Sequence, residues 1–174
     1  MIYSNNNISL QKIDIEDLNI LLDLKHESWE TTHNIAIINY SNQLEWFKSI
    51  NNNPNCLFLK AQLNDEFNTN KTIGFFKINT IDWINRCCLI GYDVIKEYRG
   101  KGFGNKIAET GIKFCFEILN MNRIETEIIT TNTASIKCAE FAGMIKEGEK
   151  REVIIKQDKK LNMYLYSIIN SDRK

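Results

Sequence analysis

Three glycines alternate with Lys101 and Phe103 in the run Arg99-Gly100-Lys101-Gly102-Phe103-Gly104, which follows an apolar stretch and precedes a helical pattern starting near Asn105. Glycine lets the backbone approach a ligand closely, and the first turn of a helix presents N–H groups without intrahelical partners. Residues of these types in this order suit phosphate oxygens, with Arg99 and Lys101 adding positive charge. A second polar cluster, Asn132-Thr133-Ala134-Ser135, lies downstream. Asn132 and Ser135 are ordinary helix-capping residues, or else they face a ligand held by the first loop. Two carboxylates are candidate bases: Glu127, inside the strand-like run Ile124 to Ile129, and Asp93, just before the loop. Burial of a carboxylate raises its proton affinity toward a useful base. Glu125 shares the face of Glu127, so a solvated pair of strand carboxylates is an equally good reading.

The elements that would position these residues follow from pattern. Ile8 to Ile13 reads as a first strand, and Asp14 with Asp17 starts a helix through Leu18, Leu21, Leu22 and Leu24. Ser28 to Tyr40 is irregular but carries Trp29, Glu30, His33 and Asn34, as a binding loop does. Ser41 caps a second helix containing Trp46, and Trp29 and Trp46 either bind an acceptor or pack this helix pair on the sheet. Strands are predicted at Cys56 to Leu63, Thr72 to Ile81 and Arg86 to Ile95, the last apolar almost throughout and therefore central. Phe103, Ile107, Gly111, Phe114 and Ile118 recur at helical spacing. The strand Ile124 to Ile129, a helix ending at Gly143, and the hairpin strands Met144 to Ile155 and Leu161 to Ile169 complete the chain. The strand, helix, strand order around the glycine loop requires a parallel pair. The expected architecture is one α/β domain over residues 1–174, with helices on both faces of a mixed, mostly antiparallel seven-stranded sheet.

Composition excludes several classes. Lys plus Arg and Asp plus Glu both number 22, with no long block of like charge, so neither nucleic acid nor an anionic membrane is an expected partner. The start of the chain lacks a signal-peptide pattern and no segment approaches a membrane span, so a soluble cytoplasmic protein is expected. Cys56, Cys87, Cys88, Cys115 and Cys138 lack CxxC spacing, which predicts reduced thiols and no metal site.

The pattern Arg99-x-x-Gly102-x-Gly104, preceded by Glu97-Tyr98 and followed by Asn132-Thr133-Ala134-Ser135-Ile136 with Glu140 and Gly143, resembles the acyl-CoA signature of GNAT N-acetyltransferases. The resemblance spans nearly the whole chain and is greatest to the subgroup of ribosomal-protein, spermidine and nucleotide-aminosugar acetyltransferases. It implies that acetyl-CoA is the acyl donor and coenzyme A the product. The backbone of Arg99, Gly100, Lys101, Gly102, Phe103 and Gly104 would hold the pyrophosphate, while Asn132 and Ser135 would lie beside the cofactor arm. The resemblance further implies a bulge in the strand before the loop and a splay between strands four and five, freeing backbone groups of Val94 and Ile95 for the pantetheine and the thioester oxygen.

Two positions depart from the family pattern. The tyrosine that often follows the asparagine by seven residues is Ala139 here, and the central-strand glutamate is Leu89. Tyr164 and Tyr166 are alternative proton donors, and Glu127, with Asp93 as the weaker candidate, is the expected base. Gln43 to Phe47 with Asn53-Pro54-Asn55 resembles the aminosugar enzymes, so the acceptor expected is an amine on a nucleotide-linked deoxysugar, bound by Trp29, His33 and Trp46. A protein N-terminus and a polyamine are the alternative acceptors. A CoA-binding sensor without catalysis is the alternative of another class, and the apolar last strand offers a homodimer surface.

Overall fold

The computed structural model describes residues 2–27, 39–64, 70–156 and 158–172. Among them, eight strands form one sheet: β1 (Tyr3–Asn5), β2 (Ile8–Lys12), β3 (Leu57–Leu63), β4 (Lys71–Asp82), β5 (Cys87–Val94), β6 (Arg123–Ile129), β7 (Ile145–Lys156) and β8 (Lys159–Ile169). Four helices accompany them: α1 (Leu18–Glu27), α2 (Tyr40–Asn51), α3 (Phe103–Glu117) and α4 (Thr133–Phe141). The spatial order is β1-β2-β3-β4-β5-β6-β8-β7. Only β5 and β6, joined through α3, run parallel; all other neighbours are antiparallel.

The strand beyond the expected seven is β1, paired with β2 through a turn in which Asn6 has a φ of 52°. It is three residues long, too short for alternation to show in sequence. The helix starts follow the rules of capping. Asp14 and Asp17 exchange side-chain bonds ahead of α1, while α2 is capped by Asn39 in a reciprocal pair with Asn42 rather than by Ser41.

Each face of the sheet is covered by its own helix pair. On one, Ile107, Phe114 and Cys115 of α3 meet Phe76, Ile78, Ile90, Ile124 and Ile128, with Ala139 of α4 in the same core. Gly111 permits that contact, since a Cβ there would fall 2.1 Å from the Phe76 ring. On the other face, Leu18, Leu21 and Leu24 of α1 and Leu44, Phe47 and Ile50 of α2 cover Phe75 and Phe58.

The final hairpin corrects one expectation. The last strand, β8, lies between β6 and β7, so its backbone is paired on both sides and does not offer a free edge. The outer strand is β7, where Ile145, Val153 and Ile155 are exposed. All five cysteines are free thiols, with Cys88 and Cys115 buried. No helix among the described residues is long and apolar enough to cross a membrane.

Candidate active site

The strands β5 and β6 share only three parallel rungs, Cys87 with Arg123, Cys88 with Ile124 and Leu89 with Glu125. Beyond Leu89, β5 stays with β4 up to Val94, whereas β6 from Thr126 to Ile129 stays with β8. The sheet therefore splays between strands four and five of the expected seven. A cavity of about 420 Å³ fills the gap, walled by Leu89 to Asp93 on one side and Thr126 to Ile129 on the other, with Asn132 and Ser135 at one end.

Backbone directions along β5 follow from its ladder. The Ile95 N–H donates to the Ile73 carbonyl at 2.9 Å, and Asp93 and Gly91 sit opposite Phe75 and Lys77 in step with it. Antiparallel pairing alternates, so Tyr92 and Val94 turn their backbone groups toward the gap. The expectation for Ile95 is thereby corrected: its carbonyl also accepts from the Tyr98 N–H, and neither group is left for a ligand. The bulge differs too, because the extra residue is Asn79 on β4, between Ile78 opposite Ile90 and Thr80 opposite Leu89.

The glycine loop connects β5 to α3. Gly100 and Gly102 have φ of 72° and 79°, and no heavy atom lies within 4 Å of a Cβ built at either, so conformation rather than space demands glycine. Gly102 stands at the N-cap with no side chain capping the helix, and its carbonyl accepts the first helical bond from the Lys106 N–H at 3.4 Å. The N–H groups of Phe103, Gly104 and Asn105 thus point out of the helix start uncapped. The Phe103 ring meets Tyr98 edge-on at 5.7 Å, so this residue contributes backbone, not side chain, to the loop. Arg99 does not reach over the loop: its Nε donates to the Val94 carbonyl at 2.9 Å and its Nη2 pairs with Glu27 at 3.0 Å. The expected charge of Arg99 at the cradle is therefore spent on fixing the end of β5 and tying it to α1. Lys101 remains exposed on the loop.

At the other end of the gap, Asn132 is the N-cap of α4, accepting from the Ser135 N–H at 3.2 Å. Ser135 is the capped residue, not the cap, and both line the cavity. Asp93 and Glu127 project on the α1/α2 face, since Leu89 and Glu125 are partners and alternate residues share a face. Asp93 pairs with Lys77 at 2.9 Å, and Glu127 pairs with Lys150 of β7. Glu125 is held by Arg123, which also binds Glu147.

Comparison with known proteins decides what this arrangement belongs to. The family model described as an acetyltransferase (GNAT) domain matches residues 7–145. The chain is a GNAT acetyltransferase. An uncharacterized N-acetyltransferase, p20, of Bacillus licheniformis is 29% identical over 172 residues, covering 95% of this chain and 94% of its own. A putative ribosomal N-acetyltransferase of Bacillus subtilis (strain 168) is 27% identical over 99 residues, 57% of this chain and 54% of its own. The fold matches the crystal structure of spermidine N-acetyltransferase from Vibrio cholerae in complex with CoA and spermine, with a TM-score of 0.89 at 17% identity over 97% of this chain and 98% of that one.

As a GNAT enzyme the chain is an acyltransferase that uses acetyl-CoA, and its residues fit that group. The uncapped start of α3 behind two left-handed glycines suits phosphate, and the gap-facing backbone of Tyr92 and Val94 suits an amide-bearing arm threaded between β5 and β6. Other candidates find different places. Trp46 stacks edge-on against Phe58 at 4.7 Å and carries the Lys25 ammonium 4.4 Å above its ring, outside the cavity walls. Trp29 and His33 lie outside the described residues. Tyr166 is buried and donates to Glu140 at 3.1 Å, and Tyr164 lies under the Lys146 ammonium, so neither faces the cavity. Ala139 is fully buried, leaving no donor there. Tyr92 does line the cavity, but its hydroxyl is buried near the Cys138 thiol, and burial pushes its pKa far up, keeping it protonated.

Sequence reasoning missed Lys77, Asn79 and Tyr92. Lys77 carried a signal, being a lone cation inside the apolar run Ile73 to Ile81.

Proposed function

We propose that this GNAT enzyme acetylates a primary amine that reaches the gap between β5 and β6 from the α1/α2 face. Acetyl-CoA, when bound, supplies the acyl group as an activated thioester. The uncapped N–H groups of Phe103, Gly104 and Asn105 would hold its phosphates. The Val94 N–H, fixed because Arg99 holds the adjoining carbonyl, is the preorganised donor in the gap. The observation that carries this reading is that Asp93 and Glu127, which project on the α1/α2 face, line the same cavity as Asn132 and Ser135 at the start of α4. Donor and acceptor can then approach through opposite mouths and no protein nucleophile is required.

Glu127 accepts the proton from the amine through water, and Asp93 orients the acceptor. Lys150, paired with Glu127, is 44% exposed and lies on the outer strand, so this ion pair can open with little cost. The Lys77–Asp93 pair, with both side chains 21% exposed, is the more enclosed of the two. Glu127→Gln should lower kcat about 10²-fold, the low end of general-base contributions, with CoA affinity unchanged. Steady-state release of free thiol and calorimetric titration of CoA measure the two quantities. Unchanged turnover would remove Glu127 from the mechanism.

The relatives do not support the deoxyaminosugar acceptor expected from Gln43 to Phe47. Those residues instead supply the buried face of α2, with Gln43 fully enclosed and Trp46 on Phe58. Nor does the described part of the cavity favour a polycation. Its two carboxylates, Asp93 and Glu127, each face a lysine, so a second ammonium would compete with Lys77 or Lys150 for its countercharge.

A further inference from the structure

On the α1/α2 face, near the Lys77–Asp93 pair, a second lysine is held by an amide and an aromatic ring. Lys25 Nζ donates to Gln43 Oε1 at 2.8 Å and lies 4.4 Å over the Trp46 ring. Among the described residues no carboxylate lies within ion-pair distance of Lys25. Gln43 is completely buried, and its Nε2 has no hydrogen-bond partner. The bond from Lys25 fixes which end of the amide is oxygen, so the orphan is a donor. It sits one amide width from the ammonium. Burial holds the Lys25 pKa below the ordinary lysine value, with the Lys77 charge pushing the same way and Asp93 opposing. Lys77 is paired with Asp93, while Lys25, within range of both charges, donates to the neutral Gln43 amide. A buried polar donor without a partner is costly, and an anion reaching the Gln43 amide would remove that cost.

We propose that Lys25, Lys77 and the Gln43 amide form an anion subsite, so that the preferred acceptor is an amine carrying a carboxylate or phosphate. The inference rests on the reading that the acceptor enters on the α1/α2 face. Lys77 is the link between the two, because it lines the cavity and touches Asp93, the neighbour of Val94. An acceptor whose acid group meets Lys25, beside the Lys77–Asp93 pair, would present its amine end toward the gap. A polyamine would place a second ammonium against Lys25, whose charge the Lys77–Asp93 pair does not cancel. The subsite therefore selects for acidic acceptors and against polycationic ones.

The test uses matched pairs: 4-aminobutyrate against butylamine, and phosphoethanolamine against ethanolamine, with spermidine as the polycation. The first readout is calorimetric binding of each probe to the full-length, CoA-saturated protein. The second is thiol release from acetyl-CoA. The acidic member of at least one pair should bind and react about tenfold better, equivalent to about 1.4 kcal/mol. The pair that does so tells carboxylate from phosphate. Because the advantage is electrostatic, it should shrink in the unaltered protein as salt rises from about 0.05 M to 0.5 M. Lys25→Met, which keeps an apolar stem on Trp46, should collapse the acidic-to-neutral ratio toward one, and Lys25→Gln provides a second variant if the first does not fold. Equal or better binding of the neutral members, or of spermidine, overturns the subsite even if every amine is acetylated. Thiol release from no amine, with acidic probes still bound selectively, would instead overturn the transfer reading and leave the subsite standing.

Discussion

Replacing Gly102 by alanine tests the backbone of the glycine loop as the proposed phosphate cradle. Gly102 caps α3 with a φ of 79°, and a Cβ there would touch no heavy atom within 4 Å. The variant therefore suffers no clash, only the cost of a left-handed L-residue, roughly 1–2 kcal/mol. For a chain of 174 residues, each kcal/mol moves the melting point by about 2–4 °C, so Tm should fall by about 2–8 °C. The new methyl would also occupy open space at the N-cap, beside the uncapped start of α3 proposed to hold the phosphates. A ligand there would have to retreat from them, and the expected loss is about tenfold or more in CoA affinity. Gly111→Ala is the matched control. Its Cβ would strike the Phe76 ring at 2.1 Å, far from the loop's open side, so it should lower Tm through overpacking without a selective effect on CoA. Thermal melts with and without CoA, together with calorimetric Kd values, separate the two. A Gly102→Ala protein that melts lower yet binds CoA with the parental Kd would refute the view that this backbone is the cradle. An unchanged melting point would refute the conformational argument.

Two other predictions concern the ion pairs. Arg99→Ala releases the Val94 carbonyl and the link to Glu27. Its partners are partly exposed, so stability should change by less than about 1 kcal/mol, while CoA Kd rises severalfold in the same calorimetric assay. Glu147 is held by Arg123, which lowers its pKa from the ordinary 4.5 to about 2. A depressed carboxylate contributes stability that is present above pH 4.5 and lost as pH falls toward 2. Melting curves between pH 2 and 5 should show a shallower acid limb in Glu147→Gln than in the parent protein.

The residues of the loop and of the starts of α1 and α4 were legible because their signals are local, whereas the cap of α2 fell on Asn39 instead of Ser41. Arg99 to Gly104, Asn132 and the Asp14–Asp17 box each act within a few residues of chain, and the strand, helix, strand order fixed the parallel pair. What could not be read was set by neighbours distant in sequence. The direction of the Arg99 side chain depends on Glu27, 72 residues away, and the partner of Asp93 is Lys77 across the sheet. The bulge at Asn79 leaves no mark in composition, since it is a register shift between two well-formed strands. Glu127 illustrates the limit most plainly. Its place on the strand was evident, but its countercharge, Lys150, arrives from β7 across the intervening β8.

The three rungs shared by β5 and β6 also make this sheet a pair of plates joined along a short seam. One plate is β1 to β5 and the other is β6, β8 and β7, and past Leu89 no backbone bond stitches them. A cofactor arm lying in the gap would supply amide groups where the missing rungs would have been, acting as a length of strand that the polypeptide does not encode. Its arrival would stiffen the molecule across its middle, and its departure would leave the plates riveted only at one end. In this fold the consumable reagent would double as a piece of the scaffold.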